Sequence, residues 1–309
     1  MCYSAQILQT IRRLRRELNV HIDYHEALKL FLRRLDDPGI TISRGFENNF
    51  TDPATEIERQ IKAAIDEHRA RQSTKAEQEL FKQKTRLVNA ERSLQAKETK
   101  KAREDVRIAG SKIEALTDKL SRLRRNDSDP EDDRIFPMHY AGVIIRKGDG
   151  NVLTPMRYHC RPAGKLASID RQFPGLYNAR RDNIEKFWRA QFGTSHAVMV
   201  AESFYENVDR EGKNVVLQFQ PQPRGDMLIA CLYSRWVDPK TGEDLLSFAA
   251  VTDEPPPEVA AAGHDRMIVN LKRENVDAWL SPVGRSDAEL QALLEERERP
   301  FYEYQVEAA

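Results

Sequence analysis

Six short runs downstream of residue 134 decide the fold: AGVIIR (141–146), HAVMVA (196–201), VVLQFQ (215–220), MLIACLY (227–233), SFAAVT (247–252) and RMIVNL (266–271). Each is dense in apolar and β-branched residues, and turn signals such as KGDGN, DREGKN and DPKTGED separate them, as expected of strands. Helical periodicity lies between them, in RRDNIEKFWRAQF (180–192) and in the Leu-rich stretch 286–297. Strands and helices mix without regular βαβ alternation. That predicts an α+β fold: a β-rich domain with short helices over 134–309, long enough for a sizeable core.

Upstream the period changes. Residues 54–125 contain no proline and one glycine, Gly110, among Lys, Arg, Glu, Gln and Ala. Leu80, Leu87 and Leu94 lie seven apart, as do Ala109, Leu116 and Leu123, with Ile113 and Leu120 between. Such heptads predict a long helical insertion, either a coiled coil with a second subunit or a hairpin folded on itself. NDSDPEDD (126–133) then reads as an exposed acidic linker. At the N-terminus, Ile7, Leu8, Ile11, Leu14 and Leu18 form one apolar helical stripe, and YHEALKLFLRRL (24–35) repeats the pattern. TISRGFENNFTDP (41–53) reads as a loop. The expected organisation is 1–53 as helices belonging to the main domain, 54–133 as insertion and linker, and 134–309 as the main domain.

The 309 residues carry 49 Lys+Arg and 49 Asp+Glu. That neutrality is a cancellation: 54–125 holds 19 basic and 12 acidic residues, about +7, and the remainder about −7. A basic helical arm suggests salt-dependent contact with a nucleic-acid backbone; a solvated coiled-coil face is the plainer reading. No run approaches the roughly 18 apolar residues of a spanning helix, so no membrane partner is expected. No signal segment is visible, and a cytoplasmic setting is the expectation. Three cysteines (Cys2, Cys160, Cys231) without a CxxC pair make neither a disulfide framework nor a zinc site. No metal or cofactor is expected. Cys160 and Cys231 read as buried thiols, and His159 lacks ligand spacing.

Cys2 is the first chemical candidate. Removal of Met1 would leave its amine and thiol on adjacent carbons, with ordinary pKa values near 8 and 8.5. An aldehyde condenses with the amine to a Schiff base, and the thiol closes a thiazolidine ring. Attack on an acyl group is the other use. By itself, a second-position cysteine is more often incidental.

LYNARRDNIEKFW (176–188), MVAESFYENV (199–208), SFAAVTDEP (247–255), GHDRMIVNL (263–271) and DAWLSP (277–282) widen the view. Together with Cys2, in this order, they resemble the SRAP family (SOS-response-associated peptidase). The resemblance covers Cys2 and roughly 134–309. It implies recognition of abasic sites in single-stranded DNA and crosslinking to the sugar aldehyde through Cys2. It places Asn178, Glu206 and His264 beside Cys2 as catalytic residues, and Arg180 and Arg266 as DNA contacts. These types fit the chemistry, because a carboxylate and an imidazole can move the protons of Schiff-base formation. The plainer readings are Asn178 as the N-cap of a helix near Arg180, Glu206 as a solvated carboxylate and His264 as part of a surface cluster. Phe204, Tyr205, Trp188 and Trp236 could stack on bases but read mostly as core.

The family pattern is not met everywhere. Tyr3-Ser4 replaces the usual Gly-Arg, Asn207 follows Phe-Tyr-Glu where Trp is usual, and Met156-Arg157-Tyr158-His159 stands for Arg-Trp-Gly. Alternatives are a thiol peptidase that removes its own Met1, an N-terminal-nucleophile amidotransferase, which lacks the expected substrate loops here, and a non-enzymatic coiled-coil interaction protein. Whether the chain is an enzyme is left open by the residues alone.

Overall fold

The computed structural model describes residues 4–7, 10–125 and 129–307. Its strands are β1 (Ser4–Ile7), β2 (Val20–Ile22), β3 (Arg134–Ile135), β4 (Tyr140–Lys147), β5 (Gly150–Tyr158), β6 (Asn178–Arg180), β7 (His196–Arg210), β8 (Lys213–Gln222), β9 (Met227–Val237), β10 (Asp244–Asp253), β11 (Met267–Ile268) and β12 (Phe301–Val306). The helices are α1 (Ile11–Leu18), α2 (Tyr24–Asp36), α3 (Arg44–Glu47), α4 (Glu56–Ala96), α5 (Lys100–Arg124), α6 (Ile169–Gln172), α7 (Pro257–Ala261), α8 (Val276–Leu280) and α9 (Asp287–Glu295).

Five strands close a ring. β4 pairs with β5, β5 runs parallel to β10, β10 pairs with β9, β9 with β7, and β7 returns to β4. Alternation along each strand sends one face inward: Val143, Met156, Met199, Ile229 and Phe248 share the interior cluster. The opposite face, with Ile144, Val198, Ala230 and Ala249, packs beneath the N-terminal helices through Leu14, Phe31 and Ile65. Closure leaves these strands no free edge to defend.

Several sequence expectations change in detail. Ile7 lies in a strand, β1, and Leu8 lies outside the described residues, so the helix seen here is α1 from Ile11 to Leu18. The expected loop at 41–53 contains α3 and a 3-10 turn at Asn48–Phe50, because Phe46 and Phe50 pack on Phe31 in the core. The periodic stretch 180–192 has only one 3-10 turn, Arg181–Asn183, followed by turns that keep Ile184, Trp188 and Phe192 buried on one side. The linker is not freely exposed: Asp129 and Asp132 pair with Arg125, and the side chain of Asp132 is 9% accessible. β5 is hidden in the sequence because Pro155 interrupts it. On its outer edge β5 pairs with β2 at 151–153 and with β10 at 157–158, so the missing N–H falls between the two ladders.

The heptad segment folds back on itself as an antiparallel hairpin of α4 and α5. Ala76, Gln83 and Ala90 of α4 face Ala102, Ala109 and Leu120 of α5 as buried residues at a–d spacing. Leu80, Leu87, Leu94, Ile113, Leu116 and Leu123 are partly covered along the same seam. A capping box at Thr55 and Glu58 starts α4, and Tyr24 of α2 donates to Glu58 at 2.7 Å. Arg86 on α4 and Asp105 on α5 pair across the hairpin at 2.5 Å.

One acidic group stores a pH dependence. Burial, with Asp132 and Glu202 nearby, raises the Asp133 carboxyl to about 7. The folded state therefore holds this proton more tightly than the unfolded chain does. Its contribution to stability is present below about pH 4 and is lost as pH rises through about 7. In thermal melts, Asp133→Asn is expected to raise Tm over wild type at pH 8 and to leave the two alike near pH 4. A difference independent of pH would contradict this assignment.

Candidate functional site at one end of the barrel

β7 and β10 both run antiparallel to β9 and so leave the barrel at the same end. β7 continues past its last rung with β9, at Ala201, and then pairs with β1 on one side and β8 on the other. Beyond the barrel it carries Glu206 on the inward-facing side, between Phe204 and Val208 of the interior cluster. β10 likewise carries Thr252 past its last rung with β9, at Ala250, and β6 brings Asn178 alongside Ala250. Parity puts Asn178 and Thr252 on the same face as the interior residue Ala250.

His264 completes the cluster. It follows the short helix α7 through Gly263, whose φ of 102° is a conformation that residues with a Cβ rarely adopt. That turn aims the ring at Glu206, with Nε2 at 3.0 Å from Oε2. Nδ1 lies 2.7 Å from the Arg266 carbonyl and 3.3 Å from the Arg266 N–H. The shorter contact requires a proton on Nδ1, donated to the carbonyl. Nε2 is therefore the ring nitrogen turned toward the Glu206 carboxyl. Glu206 is fully buried. Burial pushes its carboxyl above the usual carboxylate range, and His264 draws it part of the way back. The carboxyl is held out of water.

Asn178 is buried, and neither its amide oxygen nor its amide nitrogen makes a hydrogen bond among the described residues; the same holds for the Thr252 hydroxyl. Buried polar groups are almost always partnered, so both are available to a ligand. The helix-cap reading of Asn178 fails, because Asn178 sits in a strand and the turn after it has no side-chain cap. The solvated reading of Glu206 fails on its burial. Thr252 is not among the residues that the sequence singles out; its only signal is the Val-Thr pair in SFAAVT.

Arg180 and Arg266 converge on one carboxylate that sequence reasoning missed, Asp182, at 2.7 and 2.9 Å. Trp188, Phe204, Tyr205 and Trp236 are core residues, which removes them as stacking platforms. Met156-Arg157-Tyr158-His159 is buried too, with Arg157 paired to Asp170 at 2.9 Å, so this segment lines no channel. Burial lifts the Cys160 thiol to about 12 and raises that of Cys231 further, as befits inert core thiols. Cys2 lies outside the described residues.

Comparison with known proteins gives the family. The family model for SOS response associated peptidase (SRAP) matches residues 92–309. The chain belongs to the SRAP family. Similar relatives include the abasic site processing protein YoqW of Bacillus subtilis, 28% identical over 165 residues that make up 52% of this chain and 71% of YoqW. The abasic site processing protein YobE of the same organism is 28% identical over 164 residues, covering 52% and 73% of the two chains. A crystal structure of a protein from Bacteroides thetaiotaomicron aligns with a TM-score of 0.48 at 19% identity, covering 56% of this SRAP chain and 77% of that one. The SRAP match begins within α4, so it takes in part of the helical hairpin as well as the barrel.

The turn at Gly263 is directly testable. In chemical denaturation, Gly263→Ala is expected to cost about 1–3 kcal/mol through backbone strain. At Gly225 a Cβ would meet no atom within 4 Å and the φ is not in the left-handed region, so Gly225→Ala should be near neutral. Equal effects at the two sites would show that the turn is not under this constraint.

Proposed function

We propose that this protein acts on abasic sites in single-stranded DNA and attaches covalently to them through Cys2. After loss of Met1, the Cys2 amine adds to the aldehyde of the ring-opened sugar, and water leaves to give a Schiff base. The thiol then adds across the C=N bond, its proton passes to nitrogen, and a thiazolidine ring closes. Loss of water requires a proton delivered to a departing hydroxyl, and ring opening of the sugar requires one delivered to its ring oxygen. The Glu206–His264 pair is suited to both. Asn178 and Thr252 are suited to bind the sugar hydroxyls or the terminal amine, and Arg180 and Arg266 to take a flanking phosphate from Asp182.

The observation that carries this reading is the placement of the buried pair. β1 begins at Ser4, which lies opposite Tyr205, the residue next to Glu206. Two peptide units separate Cys2 from Ser4, a reach of at most about 7 Å. The names of YoqW and YobE as abasic site processing proteins support the substrate class.

The decisive experiment mixes purified protein with single-stranded DNA holding one abasic site and resolves the products on a denaturing gel. A shifted covalent band is expected for wild type and none for Cys2→Ala. Glu206→Gln should slow band formation roughly 100-fold or more, the usual worth of a positioned acid–base group. Absence of a wild-type band would sink the reading, and a band persisting in Cys2→Ala would exclude the thiazolidine route.

The hairpin is proposed to add affinity for the DNA backbone. Its excess charge gathers at the tip: residues 82–103 hold eight basic and two acidic side chains, about +6 of the arm's +7. Among the described residues Arg92, Lys97, Lys100 and Lys101 make no ion pair. The first turn of α5 holds Lys100 and Lys101 and no acidic residue, the reverse of what the helix dipole favours. Replacing these four by Ala should flatten the dependence of log affinity on log salt by about 3 for undamaged single strands. An unchanged slope in fluorescence-anisotropy titrations would mean that the tip is only a solvated face.

A further inference from the structure

We propose that a cavity at the root of the hairpin is a binding site for a phosphate-class anion. It has a volume of about 430 Å³ and lies among α2, α3, α4 and α5. Its lining carries five cations, Arg34, Arg44, Arg69, Lys119 and Arg122, against one carboxylate, Glu47, among the described residues.

The carboxylate is already satisfied. Arg34 Nη1 donates to its Oε1, while Arg69 donates to Oε2 from Nη2 at 2.6 Å and from Nε at 3.2 Å. This leaves Arg34, 3% exposed, with Nε and Nη2 buried and without a hydrogen-bond partner among the described residues. A charged donor buried without a partner is costly, and native structures rarely keep one without a reason. The other cations are only partly balanced. Arg44 gives its Nη atoms to the backbone carbonyls of Arg122 and Arg125, and its Nε lies 3.8 Å from Asp132, a carboxylate that Arg125 also engages. Lys119 reaches only the neutral amide of Gln72, at 3.0 Å, and Arg122 makes no ion pair among the described residues. His68 on the same wall responds to this field: burial and then Arg34 bring its pKa down to about 4.

Such a cavity wants a compact oxyanion. A phosphate presents several acceptor oxygens to guanidinium forks that match its geometry. The apolar wall of Pro38, Ile40 and Leu123 leaves room beside it for the organic part of a phosphate monoester. Four helices meet there, two from the body and two from the hairpin, so an occupant would tie the arm's root to the body.

The test is calorimetric titration of the full chain with inorganic phosphate at constant ionic strength. Wild type is expected to bind saturably at one site, with Tm rising with phosphate concentration. Lys119→Ala combined with Arg122→Ala removes two exposed side chains outside the buried ion pair and should bind at least about tenfold more weakly. Arg34→Lys keeps the charge on Glu47 but removes the two unpartnered donors, and should weaken binding likewise. Arg107→Ala, whose partner is Glu104 elsewhere on the hairpin, should bind as wild type does. Competition then distinguishes the sources of the phosphate. Displacement by a 5′-phosphorylated but not a 5′-hydroxyl oligonucleotide would identify a DNA end, and displacement by a mononucleotide alone a small metabolite. No saturable binding by wild type, or wild-type affinity in the Lys119/Arg122 double variant, would overturn the proposal. Neither outcome depends on the abasic-site chemistry.

Discussion

The hydrogen bonding of β7 is the constraint on which the rest depends. Fifteen residues long, it pairs with β9 and β4 in its first half and with β1 and β8 in its second. The first half closes the barrel. The second half turns the same strand into a platform that holds the N-terminal strand, and it sets Glu206 at the barrel's mouth without a separate loop. Because side chains alternate with period two, a slip of one residue would carry Glu206 from the inner face to the polar outer one. Phe204 and Val208, buried on either side of it, hold that register.

Electrostatics divides the molecule into unlike parts. Near the barrel mouth the buried Glu206 sits against His264, and a more exposed cluster of Arg180, Arg266 and Asp182 lies beside them. Along the hairpin charges are many and solvated, where individual pairs contribute little to stability. Between these regimes lies the hairpin root, where cations are crowded and partly buried. Whole-chain neutrality conceals all three.

Much of this was legible in the residues. Heptad spacing gave the long helices because an a–d seam needs only local periodicity, and complementary alanines on α4 and α5 let the two helices pack on each other within one chain. The central strands were legible because they are apolar on both faces. β5 and β12 were not: one contains a proline, and the other, FYEYQV, buries only Tyr302. The site was legible only through family likeness. Nothing local marks Asn178 as unpartnered or Glu206 as buried, since both properties come from strands distant in sequence. Asp182 was missed because one of its two arginine partners, Arg266, comes from a loop remote in sequence, while the other, Arg180, ends β6 two residues earlier.

The hairpin returns the chain close to where it departs, with α4 rooted on α2 and α5 ending at Arg44 and the start of β3. Its length is therefore a free variable that the barrel does not feel. The seam quantises that variable. Seven residues added to each helix would advance the tip by about 10 Å and keep it facing the same way, whereas three or four would turn it aside. The arm is in this sense a ruler graduated in heptads, whose span can be reset without redesigning the chemistry at its base.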